Sequence, residues 1–200
     1  MLKKLIIAGL VLPFLTGCNQ GDNPNTIPNG ISDIKVQTST KPLIKGKSAN
    51  NLINITLIPG QESKRSVSAI EFSFEQDISG LLKEASIYTS SSDSKNTQKA
   101  STVEVFNSKE ITFPLSDAAI NDTTTLHLNL TASKDIKLAS SISIKDFNLT
   151  FDDESTFQER INKKYRPAIE VRAAGQDNCD TYRIPGLVTT NEGTLIAVYD

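Results

Sequence analysis

One histidine, His127, and two cysteines, Cys18 and Cys179, are the only imidazole and thiol groups in 200 residues. A lone imidazole cannot build a His-based metal site or a Ser-His-Asp triad, so neither a metal nor a cofactor is expected. His127 stands between Leu126 and Leu128 on the polar side of an alternating run, where a solvated histidine is the expected reading. Cys179 has no histidine or second cysteine near it in sequence and reads as a small, buried or half-buried residue rather than a nucleophile. Charge excludes another class. With 21 basic against 23 acidic residues and a net charge of −2, the chain lacks the overall cationic excess of a nucleic-acid binder, and no nucleic-acid partner is expected. The chemistry that remains lies in Tyr182-Arg183-Ile184-Pro185-Gly186-Leu187 near the C-terminal end and in the setting of Cys18 near the other.

Residues 1–18 read as an address. Lys3 and Lys4 precede an apolar stretch from Leu5 to Leu15, too short to span a bilayer but suited to a secretory leader. Thr16 and Gly17 are small, and Cys18 follows directly. This arrangement resembles the lipobox of bacterial lipoproteins, which implies cleavage before Cys18, acylation of its sulfur and a membrane partner reached through the lipid; an ordinary leader that happens to contain Cys is the alternative. Each buried acyl methylene contributes about 0.8 kcal/mol, so several chains hold firmly. The implied location is the bacterial cell surface or periplasm, and Asn19 in place of Asp favours the outer membrane. Residues 19–48, rich in Pro, Gly, Asn, Ser and Thr, read as a flexible tether, with a possible edge strand over Ile31 to Val36.

From 49 to 153 the period is two. Ile53, Ile55 and Leu57 alternate with Asn54 and Thr56; Ile70, Phe72 and Phe74 with Glu71 and Ser73; Leu126, Leu128 and Leu130 with His127 and Asn129. Similar runs follow Ala85, Val103 and Ile111, with Ser90 to Lys99 read as a polar connection. Ile142 and Ile144 are out of phase with Phe147, Leu149 and Phe151, which predicts a bulge near Lys145-Asp146. About seven short strands, each with one apolar face, predict a β-sandwich. The phenylalanines are in phase with the aliphatics and belong to its core. Sugar binding by this sandwich would rest on Asn and Asp loops, with Tyr88 its single tyrosine, and a purely structural role is an equal alternative.

Residues 154–168 carry a capping-box pattern, Ser155 with Gln158, and Phe157 lies four before Ile161, predicting a short linker helix. Beyond it Ile169 and Val171 suggest a resumed strand, and residues 186–198 a hairpin around Asn191-Glu192-Gly193. A hairpin with no sheet to complete it points to a longer protein, of which 169–200 would be the start of a further domain.

Tyr182-Arg183-Ile184-Pro185, preceded by Gly175 and followed by Gly193-Thr194-Leu195-Ile196-Ala197, resembles the opening of a sialidase catalytic domain. The lipobox and strand-rich segment upstream are similar in layout to sialidases of the Bacteroides lipoprotein type. The resemblance implies an all-β chain: an N-terminal β-sandwich, the short helical linker, and the first strands of a truncated six-bladed β-propeller. It implies an exo-α-sialidase acting on sialylated glycans. Arg183 matches the first of three arginines that grip the substrate carboxylate. A guanidinium suits that task because its planar fork presents two donors to two oxygens and stays charged, which Lys cannot match. In the family the Tyr nucleophile, its Glu partner, the Asp acid/base and the other arginines follow later in the chain, so no catalytic residue is expected within these 200 positions. The alternative is a noncatalytic surface lipoprotein whose sandwich binds glycan or protein.

Overall fold

The computed structural model describes residues 26–198 apart from 62–64, 93, 106–107 and 184–185. Cys18 and the leader lie outside the described residues. In chain order the strands are β1 (Ile31–Thr38), β2 (Leu43–Ile44), β3 (Asn50–Pro59), β4 (Arg65–Phe74), β5 (Leu82–Ser91), β6 (Ser94–Glu104), β7 (Glu110–Ile120), β8 (Thr124–Ala132), β9 (Ile142–Phe151), β10 (Thr156–Tyr165), β11 (Pro167–Ala168), β12 (Gly186–Thr189) and β13 (Leu195–Val198).

Two antiparallel sheets share one core. The five-stranded sheet runs β1-β3-β8-β5-β6 and the four-stranded sheet β10-β9-β4-β7. Period-two alternation gives each strand one apolar face. Ile53, Ile55 and Leu57 from β3 and Leu126, Leu128 and Leu130 from β8 enter the same cluster as Phe72, Phe113, Phe147 and Phe151 of the other sheet. Phe72 meets Phe113 edge to face with centroids 6.3 Å apart, and Phe147 at 6.1 Å; Phe147 in turn lies 6.2 Å from Phe157. Each fully buried ring or aliphatic contributes roughly 1.5–3 kcal/mol, which explains why this arrangement outcompetes the extended chain. The all-β expectation holds.

The predicted bulge in β9 is present. Asp146 pairs with Ser73 and Ile144 with Phe74, so Lys145 is the extra residue, and the inward parity changes there. The edge strand suggested over Ile31 to Val36 is β1, paired with β3.

Three expectations are corrected. Residues 154–168 hold no helix: Thr156–Tyr165 is β10, hydrogen-bonded along β9. A spacing of four fits both a helix face and two strand periods; here Phe157 and Tyr165, eight apart, both turn inward on the period of two, and a bulge at Ile161–Asn162, with Asn162 at φ 46°, offsets the phase slip of β9 so that Tyr165 stands opposite Ile142. Ser155 caps no helix; its backbone N–H donates to Asp153 Oδ1 at 3.0 Å in the β9–β10 turn. Ser90 to Lys99 is not a loop, since β5 and β6 continue their pairing out to Ser91 and Ser94. Ile169 and Val171 form no strand, and both side chains are exposed.

Arg65 ties the β9–β10 turn to β4. Its guanidinium pairs with Asp153 and lies 3.3 Å from Asp152, and it stacks over the Phe151 ring at 5.6 Å. Hydrogen bonds from Arg65 and Ser155 hold the Asp153 carboxyl well below the usual carboxylate range.

A second device shapes the outer face of the five-stranded sheet. In β3, Asn51 pairs with Asn129 and Ile53 with Leu128, leaving Leu52 as an extra residue. Without that bulge Asn51 would share the inward parity of Ile53; with it, Asn51 and Asn54 both face outward. The Leu52 carbonyl accepts from Ser39 N–H at 2.7 Å and from the buried Tyr165 hydroxyl at 2.8 Å.

Candidate functional site

The segment carrying Arg183 leaves the sandwich at a fixed point. β11 pairs in parallel with β2, Leu43 N–H donating to the Arg166 carbonyl at 3.0 Å and Lys45 N–H to that of Ala168 at 2.8 Å. After Ala168 the chain runs without regular structure to a 3-10 turn at Gln176–Asn178, entered through Gly175 at φ 86°. That conformation belongs to the left-handed region and suits glycine.

The turn is held by its own side chains. Arg172 Nε lies 2.6 Å from Asp177 Oδ2, and the Tyr182 hydroxyl bonds the Gln176 carbonyl at 2.9 Å and Asp177 Oδ2 at 3.2 Å. Desolvation and the neighbouring Asp177 charge raise the Tyr182 phenol above its ordinary pKa. Tyr182 therefore sits in a loop and pins the backbone just before Arg183. Cys179 is half-buried, as expected, with its thiol 3.0 Å from the Thr181 carbonyl.

Arg183 is exposed, and among the described residues its side chain makes no hydrogen bond or ion pair. The hairpin that follows pairs Gly186 with Val198 and Thr189 with Leu195. Its turn closes with Gly193 N–H on the Thr190 carbonyl at 2.9 Å, Gly193 taking φ 83°. Leu187 is 69% exposed and Val198 60%, so both flanks of the ribbon present apolar side chains. The described residues form this two-stranded hairpin and no propeller blade around it.

His127 is not the solvated residue expected. It is half-buried, with Nδ1 2.8 Å from Asn54 Oδ1 and Nε2 2.8 Å from Ser90 Oγ, and burial lowers its pKa. No cluster of three or more metal-ligating side chains occurs among the described residues. Nor is any described helix long and apolar enough to cross a membrane.

No protein-family model matches the chain. A stretch of 66 residues, 32% of the chain, is 39% identical to a sialidase of Bacteroides fragilis (strain YCH46). The likeness is to sialidases. Among solved structures, the Hadza microbial sialidase Hz136 superposes with a TM-score of 0.68 over 82% of this chain, at 16% identity, which speaks to the fold alone. The chain spans 12% of the length of the Bacteroides sialidase and 37% of Hz136. The chain is all-β and, over part of its length, similar to sialidases.

Sequence reasoning singled out Arg183 and left the Arg172–Asp177–Tyr182 network unseen. Nothing in the spacing marks it, because the network depends on left-handed conformations at Gly175, Asp177 and Asn178 that fold the loop back on itself.

Proposed function

We propose that this chain is the N-terminal portion of an exo-α-sialidase that releases terminal sialic acids from glycoproteins, glycolipids and oligosaccharides. Arg183 binds the substrate carboxylate in this reading. The observation that carries the proposal is the 39% identity over 66 residues to a sialidase, together with an exposed Arg183 on a loop pinned by Tyr182. A carboxylate on the reacting carbon is ionised at physiological pH, and a forked guanidinium both attracts and orients it. It also repels a carboxylate nucleophile, which favours a phenol for the retaining displacement. The nucleophile, the acid/base and the further arginines belong to a β-propeller that begins at the β12–β13 hairpin, and the exposed apolar flanks of that hairpin suit burial in such a domain. Cys18 carries lipid and holds the protein at the bacterial surface, in the outer membrane.

Two measurements test this reading. The 200-residue chain alone should not hydrolyse a fluorogenic sialoside, because one arginine makes no site; activity of this segment would overturn the proposal. In the parent protein, Arg183→Ala should lower kcat/KM roughly 10²–10³-fold, the scale expected for losing one preorganised charge-assisted contact. Arg183→Lys should recover only part of it. An Arg183→Ala enzyme with undiminished kcat/KM would refute the assignment. For the anchor, Cys18→Ala should abolish incorporation of labelled fatty acid and release the protein from the membrane fraction.

A further inference from the structure

We propose that Asp177, clamped between Arg172 and Tyr182, is a positioning residue that presets the Arg183 guanidinium for a carboxylate. The inference rests on the assignment of Arg183 to the substrate carboxylate and adds what holds that arginine in place.

A single carboxylate oxygen closes the loop. Asp177 Oδ2 lies 2.6 Å from Arg172 Nε and accepts from the Tyr182 hydroxyl at 3.2 Å. The same hydroxyl reaches the Gln176 carbonyl at 2.9 Å, so its one proton is shared between acceptors on neighbouring residues. Arg172 stands where the chain enters the loop and Tyr182 where it leaves; Asp177, in the 3-10 turn between them, joins both ends. Backbone bonds build the frame inside. Gln176 N–H donates to the Ala173 carbonyl at 3.1 Å, Cys179 N–H to the Gln176 carbonyl at 2.9 Å and Gly175 N–H to the Cys179 carbonyl at 2.8 Å. The Gln176 side-chain oxygen accepts from Ala173 N–H at 3.1 Å.

This frame carries backbone strain. Asp177 at φ 53° and Asn178 at φ 57° lie in the left-handed region, which residues with a Cβ enter at a cost. Both are exposed, so burial of apolar surface does not offset that cost; the charge-assisted bonds to Asp177 do. Strain held at an exposed loop by polar bonds points to placement rather than to core stability as its purpose.

What is placed is the next residue in the chain. A Tyr182 fixed at its hydroxyl fixes the backbone from which Arg183 projects, and a guanidinium fork meets both oxygens of a carboxylate in one plane only. A loop free to wander would have to be ordered as the ligand binds, and affinity would fall by that amount. Arg172 has a second task. It neutralises Asp177, whose charge, left unpaired in the same loop, would oppose an anionic ligand. A purely stabilising role would show the same loss on breaking the clamp whether or not Arg183 is present.

The test is a double-mutant cycle in the parent protein, read as kcat/KM on a fluorogenic sialoside. Tyr182→Phe keeps the ring and removes the hydroxyl. Asp177→Asn removes the charge and keeps a residue type that tolerates the left-handed conformation. Each should lower kcat/KM about three- to tenfold, mainly by raising KM, with the unfolding temperature unchanged. Combined with Arg183→Ala, either substitution should cost less than about twofold more, because the group it places is gone. Wild-type kcat/KM in both single variants overturns the inference, and so does an equal fold-loss with and without Arg183. If Arg183→Ala itself leaves kcat/KM undiminished, the carboxylate assignment fails and this inference falls with it. A large loss in Arg183→Ala beside wild-type values for Tyr182→Phe and Asp177→Asn refutes the inference alone.

Discussion

Removing one oxygen atom from the core should loosen a feature on the opposite surface. The Tyr165 hydroxyl donates to the Leu52 carbonyl at 2.8 Å, at the bulge that turns Asn51 outward. Tyr165→Phe keeps the ring and its packing and removes only that bond. The carbonyl keeps its second partner, Ser39 N–H at 2.7 Å, so the cost stays near the ordinary net value of a hydrogen bond, about 1 kcal/mol. In a domain of this size that lowers Tm by roughly 2–6 °C. Burial pushes the Tyr165 phenol up to about 12, against an unfolded value near 10. Between those values the unfolded chain gives up a proton that the folded chain keeps, so the tyrosine's contribution is complete below pH 10 and fades as pH rises toward 12. Thermal unfolding of both proteins at pH 7 and pH 11 is the assay. The wild-type advantage should be present at pH 7 and shrink at pH 11. A Tm for Tyr165→Phe equal to wild type at pH 7, or a gap that widens at pH 11, would refute the role given to this bond.

Other outcomes follow from the same structure. Arg65→Ala should destabilise by about 1 kcal/mol, a modest figure because Asp152 and Asp153 are largely exposed and solvent screens the pairs. Since the Asp153 carboxyl is depressed in the fold, the Arg65 advantage is complete above the unfolded carboxylate value near 4 and is lost as pH falls below it; urea unfolding at pH 7 and pH 3 checks this. Phe147→Ala, at the centre of the Phe72–Phe147–Phe157 contacts, should cost about 3–5 kcal/mol by denaturant unfolding. The single imidazole gives one NMR titration, and His127 should titrate below 6.5, because burial disfavours its charged form. A midpoint above that value would mean that the Asn54–His127–Ser90 row is open to water.

Much of the fold is legible in the sequence because burial on one face of a strand imposes a period of two on the chain. Ile53, Ile55 and Leu57, or Leu126, Leu128 and Leu130, announce strands and core together, and the phase slip before Phe147 announces the β9 bulge. The same arithmetic fails at Phe157 and Ile161, where a spacing of four satisfies either a helix or a strand. Only the neighbouring β9, offering unpaired backbone groups along its edge, decides for β10. Arg183 is legible through a local motif, since its aromatic and proline neighbours are adjacent in sequence.

The sequence by itself determined that the chain is built mainly of strands, that Phe72, Phe74, Phe113, Phe147 and Phe151 are internal and that one arginine stands beside a tyrosine. Tertiary structure alone decided what shares a surface. Balanced overall charge concealed the meeting of Lys41 with Lys163, Lys164 and Arg166, which a two-residue parallel pairing of β2 and β11 brings about. Asn54, His127 and Tyr88 likewise become neighbours only through strand register. Backbone hydrogen bonds between distant segments set that register, and the side-chain pattern of any one strand carries no record of which strand lies next to it.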